Sequence, residues 1–280
     1  MADLPRWGPP YPDPGEVRAD VEAMVGAVAG ALVARFGDAI AGLWFKGSAQ
    51  KRWDSPLDYV PEISDVDIHV RAARAADMAP IADAEVTVEV HADIEQRFGA
   101  VRPAPLHVPR VQFVAAEEVE QIPGYVPVPE SAARTLYGSE HRGPGQIDQA
   151  AVVRTDRGRL LHLADEAALT KATIDLIERP GHHLAWGLRS LNWRVSPVGP
   201  LVLSLLGVDY TTAWSANRTG IVELLGECGA GDLAETYAAY YTNGWTFWLS
   251  GWRDGAAGRA AFLAGMRTIR AGAALAENRQ

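Results

Sequence analysis

The chain has 280 residues, 48% of them hydrophobic, and a formal charge of −9, which is ample for a buried core and the wrong sign for a polyanion-binding protein. Residues 1–145 hold 13 Lys and Arg against 22 Asp and Glu, while residues 146–280 hold 13 of each. The acidic half therefore makes nucleic acid a poor first partner and a small molecule, possibly cationic, a better one.

Met1-Ala2-Asp3-Leu4-Pro5 has no basic n-region, and the longest apolar stretch, Val25 to Ala34, is too short to span a bilayer, so neither export nor membrane anchoring is expected. Cys228 is the single cysteine, which excludes an internal disulfide and a thiolate cluster and fits a reducing, cytoplasmic location. Five prolines make the first fourteen residues an extended arm, and an amphipathic stretch from Glu16 to Arg35 predicts a helix closed by Gly37. Ala39 to Phe45 reads as a strand running into Lys46-Gly47-Ser48, and Val66 to Val70 as a second strand, with a loop broken by Pro56 and Pro61 between them. Ala72 to Phe98 reads as helix, although Val86 to Val90 is β-branched enough for a strand.

Arg110 to Val114 is a short strand candidate and Ile122 to Pro129 a loop, where the sheet region is expected to end. Beyond Gly143-Pro144-Gly145 the pattern is helical: Asp165 to Glu178, His183 to Trp193, Leu201 to Leu206, Asn217 to Leu225, Asp232 to Trp252 and Ala257 to Ala276. The expected organisation is α+β, a strand-and-helix unit over 1–145 followed by an all-helical unit over 146–280.

Within this plan Ser64-Asp65-Val66-Asp67 is the most informative stretch. Two carboxylates two positions apart on a strand share a face and can reach one divalent cation. Gly47 lets backbone N–H groups approach a β- or γ-phosphate, and Ser48 adds a hydroxyl donor. Moving a nucleoside monophosphate needs in-line attack at the α-phosphorus with Mg²⁺ shielding the triphosphate, and hard oxygen ligands suit that ion. Asp65 and Asp67 are accordingly the candidate catalytic and metal-binding residues, and Gly47, Ser48 and Ser64 the candidate nucleotide-binding ones.

On Gly47-Ser48 and Ser64-Asp65-Val66-Asp67, over about residues 39–70, the chain resembles the nucleotidyltransferase superfamily that includes the antibiotic nucleotidyltransferases. The resemblance implies a small mixed sheet flanked by helices, a nucleoside triphosphate donor such as ATP, Mg²⁺, and a helical second domain that helps to hold a small-molecule acceptor. It also marks two departures. The interval from Ser48 to Asp65 is longer than the family's usual loop, and the position of the family's third carboxylate falls on Gln112, a neutral residue that is neither a base nor a strong Mg²⁺ ligand. Glu89 and Glu117 are candidate substitutes. A catalytically impaired nucleotide-binding or regulatory module of the same fold is therefore the alternative to the enzyme, and a partner-binding protein without nucleotide a third reading.

Lys171 is a further nucleotide-binding candidate, set against an ordinary exposed pair with Asp175. Tyr237, Tyr241, Trp245, Trp248 and Trp252 form one helical stripe that suits a core or the lining of a cleft. Arg253, Arg259, Arg267 and Arg270 read as a solvated face. His182-His183 lacks the spacing of a zinc site.

Overall fold

The computed structural model describes residues 4–74, 76, 77, 79 and 83–278. It is α+β, a four-stranded mixed sheet flanked by helices together with a helical C-terminal part. The chain divides into two compact units: Pro12–Lys51 with Asp65–Pro144, and Met1–Tyr11 with Arg52–Ser64 and Gly145–Gln280. A cut at residue 145 thus assigns 1–11 and 52–64 to the sheet unit, whereas the structure groups them with the helices.

The sheet unit opens with α1 (Pro14–Phe36), which starts where the Asp13 carboxylate accepts from the N–H groups of Gly15 and Glu16 and stops at Gly37. There follow β1 (Ile40–Lys46), β2 (Val66–Ala72), α2 (Ala84–Val101), β3 (Val111–Ala115), the short α3 (Ala116–Glu120) and β4 (Ala133–Gly138). The β-branched run Val86 to Val90 lies in α2, so the helical alternative holds there. The helix expected from Ala72 begins instead at Ala84, and residues 75, 78 and 80–82 of that stretch lie outside the described residues.

Strand order is β3-β2-β1-β4, with β1 antiparallel to β2 and β4, and β2 parallel to β3. The sheet does not end before residue 130, because β4 adds an edge to β1. No residue of β4 is buried, so it lacks the apolar alternation that marks a strand in sequence.

Alternation along β2 buries Val66, Ile68, Val70 and Ala72 and leaves Asp67, His69 and Arg71 half-buried on the other face. α1 packs on the sheet through contacts with β1, β2 and β4, and α2 packs on α1. Within α1, Asp20 is fully buried; it accepts from Arg102 Nε at 2.7 Å, from the N–H groups of Leu106 and His107 at 2.9 and 3.1 Å, and faces His107 Nδ1 at 3.2 Å. This carboxylate fastens the α2–β3 connection to α1. Burial pushes the His107 imidazole down to about 4, against the pull of Asp20.

The helical unit holds α4 (Gln149–Leu163), α5 (Glu166–Glu178), α6 (Leu184–Val195), α7 (Val198–Leu205), α8 (Tyr210–Ser215), α9 (Arg218–Glu227), α10 (Gly231–Leu249) and α11 (Gly255–Asn278). Side-chain caps from Asp148, Asp165, Asp209 and Asn217 set the starts of α4, α5, α8 and α9. The sequence pattern misses α4, only three of whose fifteen residues are buried, and α8, which is six residues long. α10 and α11 pair at its centre. Tyr237, Tyr241 and Trp245 are at most 1% exposed, so these members of the aromatic stripe are core. Trp248 is half-buried, and Trp252 lies past the end of α10. The four C-terminal arginines are exposed.

Residues 52–64 are built into this unit. The buried Asp58 accepts from the Thr219 N–H and hydroxyl at 2.9 and 2.8 Å, and Trp245 Nε1 donates to the carbonyls of Pro56 and Tyr59. Arg218, 3% exposed, donates to Leu57 O and to Ser64 Oγ at 2.9 Å and lies over the Tyr241 ring. Among the described residues no helix is long and apolar enough to cross a membrane.

Candidate functional site

The site lies on the sheet face turned away from α1. Lys46, the last residue of β1, stands opposite Asp67 of β2 in the antiparallel register, so the turn after Lys46 meets the start of β2. Gly47 has a φ of +82°, a conformation only glycine adopts without strain. A Cβ at Gly47 would run into the carboxylate of Asp67. The bare Cα of Gly47 and the Asp67 side chain are therefore packed face to face, and glycine is required there twice over. Ser48 follows, half-buried in the same turn.

Asp65 directly precedes β2 and is 7% exposed. Its carboxylate is paired with the guanidinium of Arg110. Arg110 immediately precedes β3, and its carbonyl accepts from the Val66 N–H at 2.9 Å, which places the two side chains side by side at the head of the parallel β2–β3 ladder. Sequence reasoning missed Arg110, which it placed inside the strand candidate, because no local pattern shows that the residue before β3 meets the residue before β2. Gln112 is the register partner of Asp67, so the neutral amide stands where the resemblance expects a carboxylate.

Neither proposed substitute reaches that place. Glu89 pairs with Arg35 at 3.3 Å on the α2 surface. Glu117 accepts from the Ala72 N–H at 3.0 Å, at the opposite end of β2 from Asp67, roughly 16 Å away at the rise of a strand. Ser64 belongs to the helical unit, is fully buried, and its hydroxyl is taken up by the Val60 N–H at 3.0 Å and by Arg218. That makes it a pin for the 52–64 segment. Lys171 is exposed on α5, and Asp175 pairs with Arg179 at 2.8 Å. His182 and His183 are exposed, with ring centroids 3.9 Å apart.

Two carboxylates, Asp65 just before β2 and paired with Arg110 and Asp67 on the strand, would offer hard oxygen to a single Mg²⁺ that takes its other ligands from phosphates and water. Gln112 adds no charge, and among the described residues no group of three or more His, Cys, Asp or Glu is arranged to hold a metal. The residues fit one ion bound together with a polyphosphate and do not fit a protein-made two-metal cage. Arg110 places a positive charge beside Asp65.

The same sheet face carries a cavity of about 380 Å³ whose walls include Trp44, Lys46, His69, Arg71, His141 and Arg142. Trp44 Nε1 donates to Ser139 O at 2.8 Å, and His141 Nε2 donates to Val128 O at 2.9 Å. Arg71 pairs with Glu120 and lies 5.3 Å from the Trp44 ring. Burial is the main force lowering the Lys46 ammonium to about 8, against Glu120 and Asp67, which raise it. Burial, then Lys46 and His141, hold the His69 imidazole down at about 3, so it is neutral at pH 7. Sequence reasoning saw Lys46 only as the end of a strand; its alternation with Trp44 was the signal that it shares this face. A second cavity, of about 190 Å³, is lined in the helical unit by Glu62, His182, Trp186, Arg189 and Trp252 among others.

No family model matches this chain, and no curated protein matches it.

Proposed function

We propose that the protein is a Mg²⁺-dependent nucleotidyltransferase that moves a nucleoside monophosphate, AMP from ATP, to a hydroxyl of a small-molecule acceptor. The observation that carries this reading is the packing of the Asp67 carboxylate on the bare Cα of Gly47, which sets the Gly-Ser turn against the Asp-x-Asp strand.

In this reading the Gly47-Ser48 turn holds the terminal phosphates through backbone N–H groups and the Ser48 hydroxyl. Asp65 and Asp67 would hold Mg²⁺, which supplies charge neutralisation on the triphosphate when bound. Arg110, already beside Asp65, stabilises negative charge building up on the departing pyrophosphate. The acceptor oxygen forms its bond to the α-phosphorus, the bond from that phosphorus to pyrophosphate breaks, and the hydroxyl proton passes to solvent water.

A specific observation favours the second reading, a nucleotide-binding module without transfer. Gln112 stands opposite Asp67, and a neutral amide removes the base and the third anionic ligand together. One experiment separates the two: Mg-ATP binding by calorimetry, with pyrophosphate release followed in the same samples against a panel of hydroxyl acceptors. Binding lost in Asp67→Asn with pyrophosphate released by the wild type supports transfer; binding without release supports the module; no Mg-ATP binding at all removes both.

A further inference from the structure

We infer that the cavity on the polar sheet face is the acceptor's seat and takes a small organic anion, a carboxylate or a phosphate ester, in place of the cationic acceptor that the net charge suggests; the inference rests on the nucleotidyl-transfer reading above.

The cavity, at about 380 Å³, has the size of a small-molecule site. Its walls are more positive than the acidic half that contains it. Lys46 is only 5% exposed, yet among the described residues no carboxylate forms an ion pair with it, and its ammonium lies 5.7 Å from the Trp44 ring. Of the two carboxylates of the lining, Glu120 is in contact with Arg71 and attracts Lys46 without contacting it, and Glu140 accepts the Thr135 hydroxyl at 2.7 Å. Arg142 adds a second cation at the rim. Glu120 and Asp67 attract the Lys46 ammonium without forming an ion pair with it; a mostly buried ammonium is costly without a counter-charge in direct contact, and an anionic ligand would supply that contact. Lys46 also directly precedes Gly47 and stands opposite Asp67, so a molecule anchored at Lys46 adjoins the turn and carboxylate that would hold the donor.

The test uses the full chain and three aromatic probes of similar size: phenyl phosphate, benzoate and benzylamine. Titration calorimetry is expected to show binding of at least one of the two anions and none of the amine, and the anion that binds identifies whether a phosphate ester or a carboxylate is preferred. Lys46→Met is expected to weaken that binding at least tenfold while Mg-ATP binding stays within threefold of wild type, and Lys46→Arg is expected to restore it. Equal anion binding by wild type and Lys46→Met, a preference for benzylamine, or displacement of the anion by Mg-ATP each overturns the inference, the last because the cavity would then hold donor phosphates. Lys46-dependent anion binding in a wild type that binds no Mg-ATP keeps the anion site and brings down the nucleotidyl-transfer reading instead.

Discussion

Asp67 and Gln112 face one another across the parallel pairing of β2 and β3, side by side on the sheet face that carries the Gly-Ser turn. If the missing negative charge limits the chemistry, Gln112→Glu supplies it at the register position where a carboxylate can share an ion with Asp67. The expected outcome is a pyrophosphate-release rate at least tenfold above wild type with Mg²⁺ present and no gain without it. An unchanged rate would show that the amide is not what limits turnover.

Gly47→Ala tests the turn. The φ of +82° and the Asp67 carboxylate lying where the new methyl must go both oppose the substitution, so the variant should lose about 1–3 kcal/mol of stability. Mg-ATP affinity should fall more than tenfold, because the methyl displaces the carboxylate. Urea melts and calorimetry measure the two effects; an intact affinity would separate the turn from the nucleotide.

Ser64→Ala distinguishes a structural serine from a nucleotide ligand. Its hydroxyl is buried between the Val60 N–H and Arg218, so its removal should cost about 1–3 kcal/mol through the donors left unsatisfied. Mg-ATP affinity should remain within twofold of wild type. A tenfold loss of affinity in a well-folded Ser64→Ala protein would return Ser64 to the site.

These residues show how far the sequence reaches. The end of α1 is legible because Gly37 is a local signal, whereas its start at Pro14 behind the Asp13 cap falls two residues before the expected Glu16; the Asp pair is legible because alternation on a strand needs only neighbouring residues. Arg110 is not legible, since nothing nearby in the chain says that the residue before β3 meets the residue before β2; parallel pairing decides it. Nor is the place of 52–64, whose partners Arg218, Thr219 and Trp245 lie more than 150 positions away. The unusual length of the Ser48-to-Asp65 interval was visible; that its residues serve the helical unit was not.

Asp20→Ala should be among the most damaging substitutions in the sheet unit. Four polar groups, from Arg102, Leu106 and His107, converge on this buried carboxylate, and its loss strands them in the interior. A destabilisation of about 3 kcal/mol or more is expected in urea melts. A loss below about 1 kcal/mol would mean that the α2–β3 connection is held by other contacts.

Asp156 on α4 gives a pH signature. It is 2% exposed, and burial pushes its carboxyl up to about 6, against nearby Ser204 and Arg159, which lower it. Between the unfolded value of 3.8 and about 6 the folded state binds the extra proton, so this group's contribution favours folding below pH 4 and is lost as pH rises through 6. Asp156→Asn should therefore be more stable than wild type at pH 7.5, by up to about 3 kcal/mol, and no more stable at pH 4. Denaturant titrations at the two pH values check this; a gain that does not vary with pH would assign the effect to something other than proton binding.

The hydroxyls of Ser55 and Thr219 meet at 2.7 Å across a sequence separation of 164 residues. During synthesis from the N-terminus the 52–64 segment therefore leaves the ribosome long before α9 and α10 exist to receive it. Until then Tyr59, Leu57 and Ile63, all buried in the finished protein, are exposed apolar surface on a nascent chain. A truncation after residue 145 freezes the protein at that stage, and such a fragment should bind chaperones or aggregate even though every strand of the sheet is present.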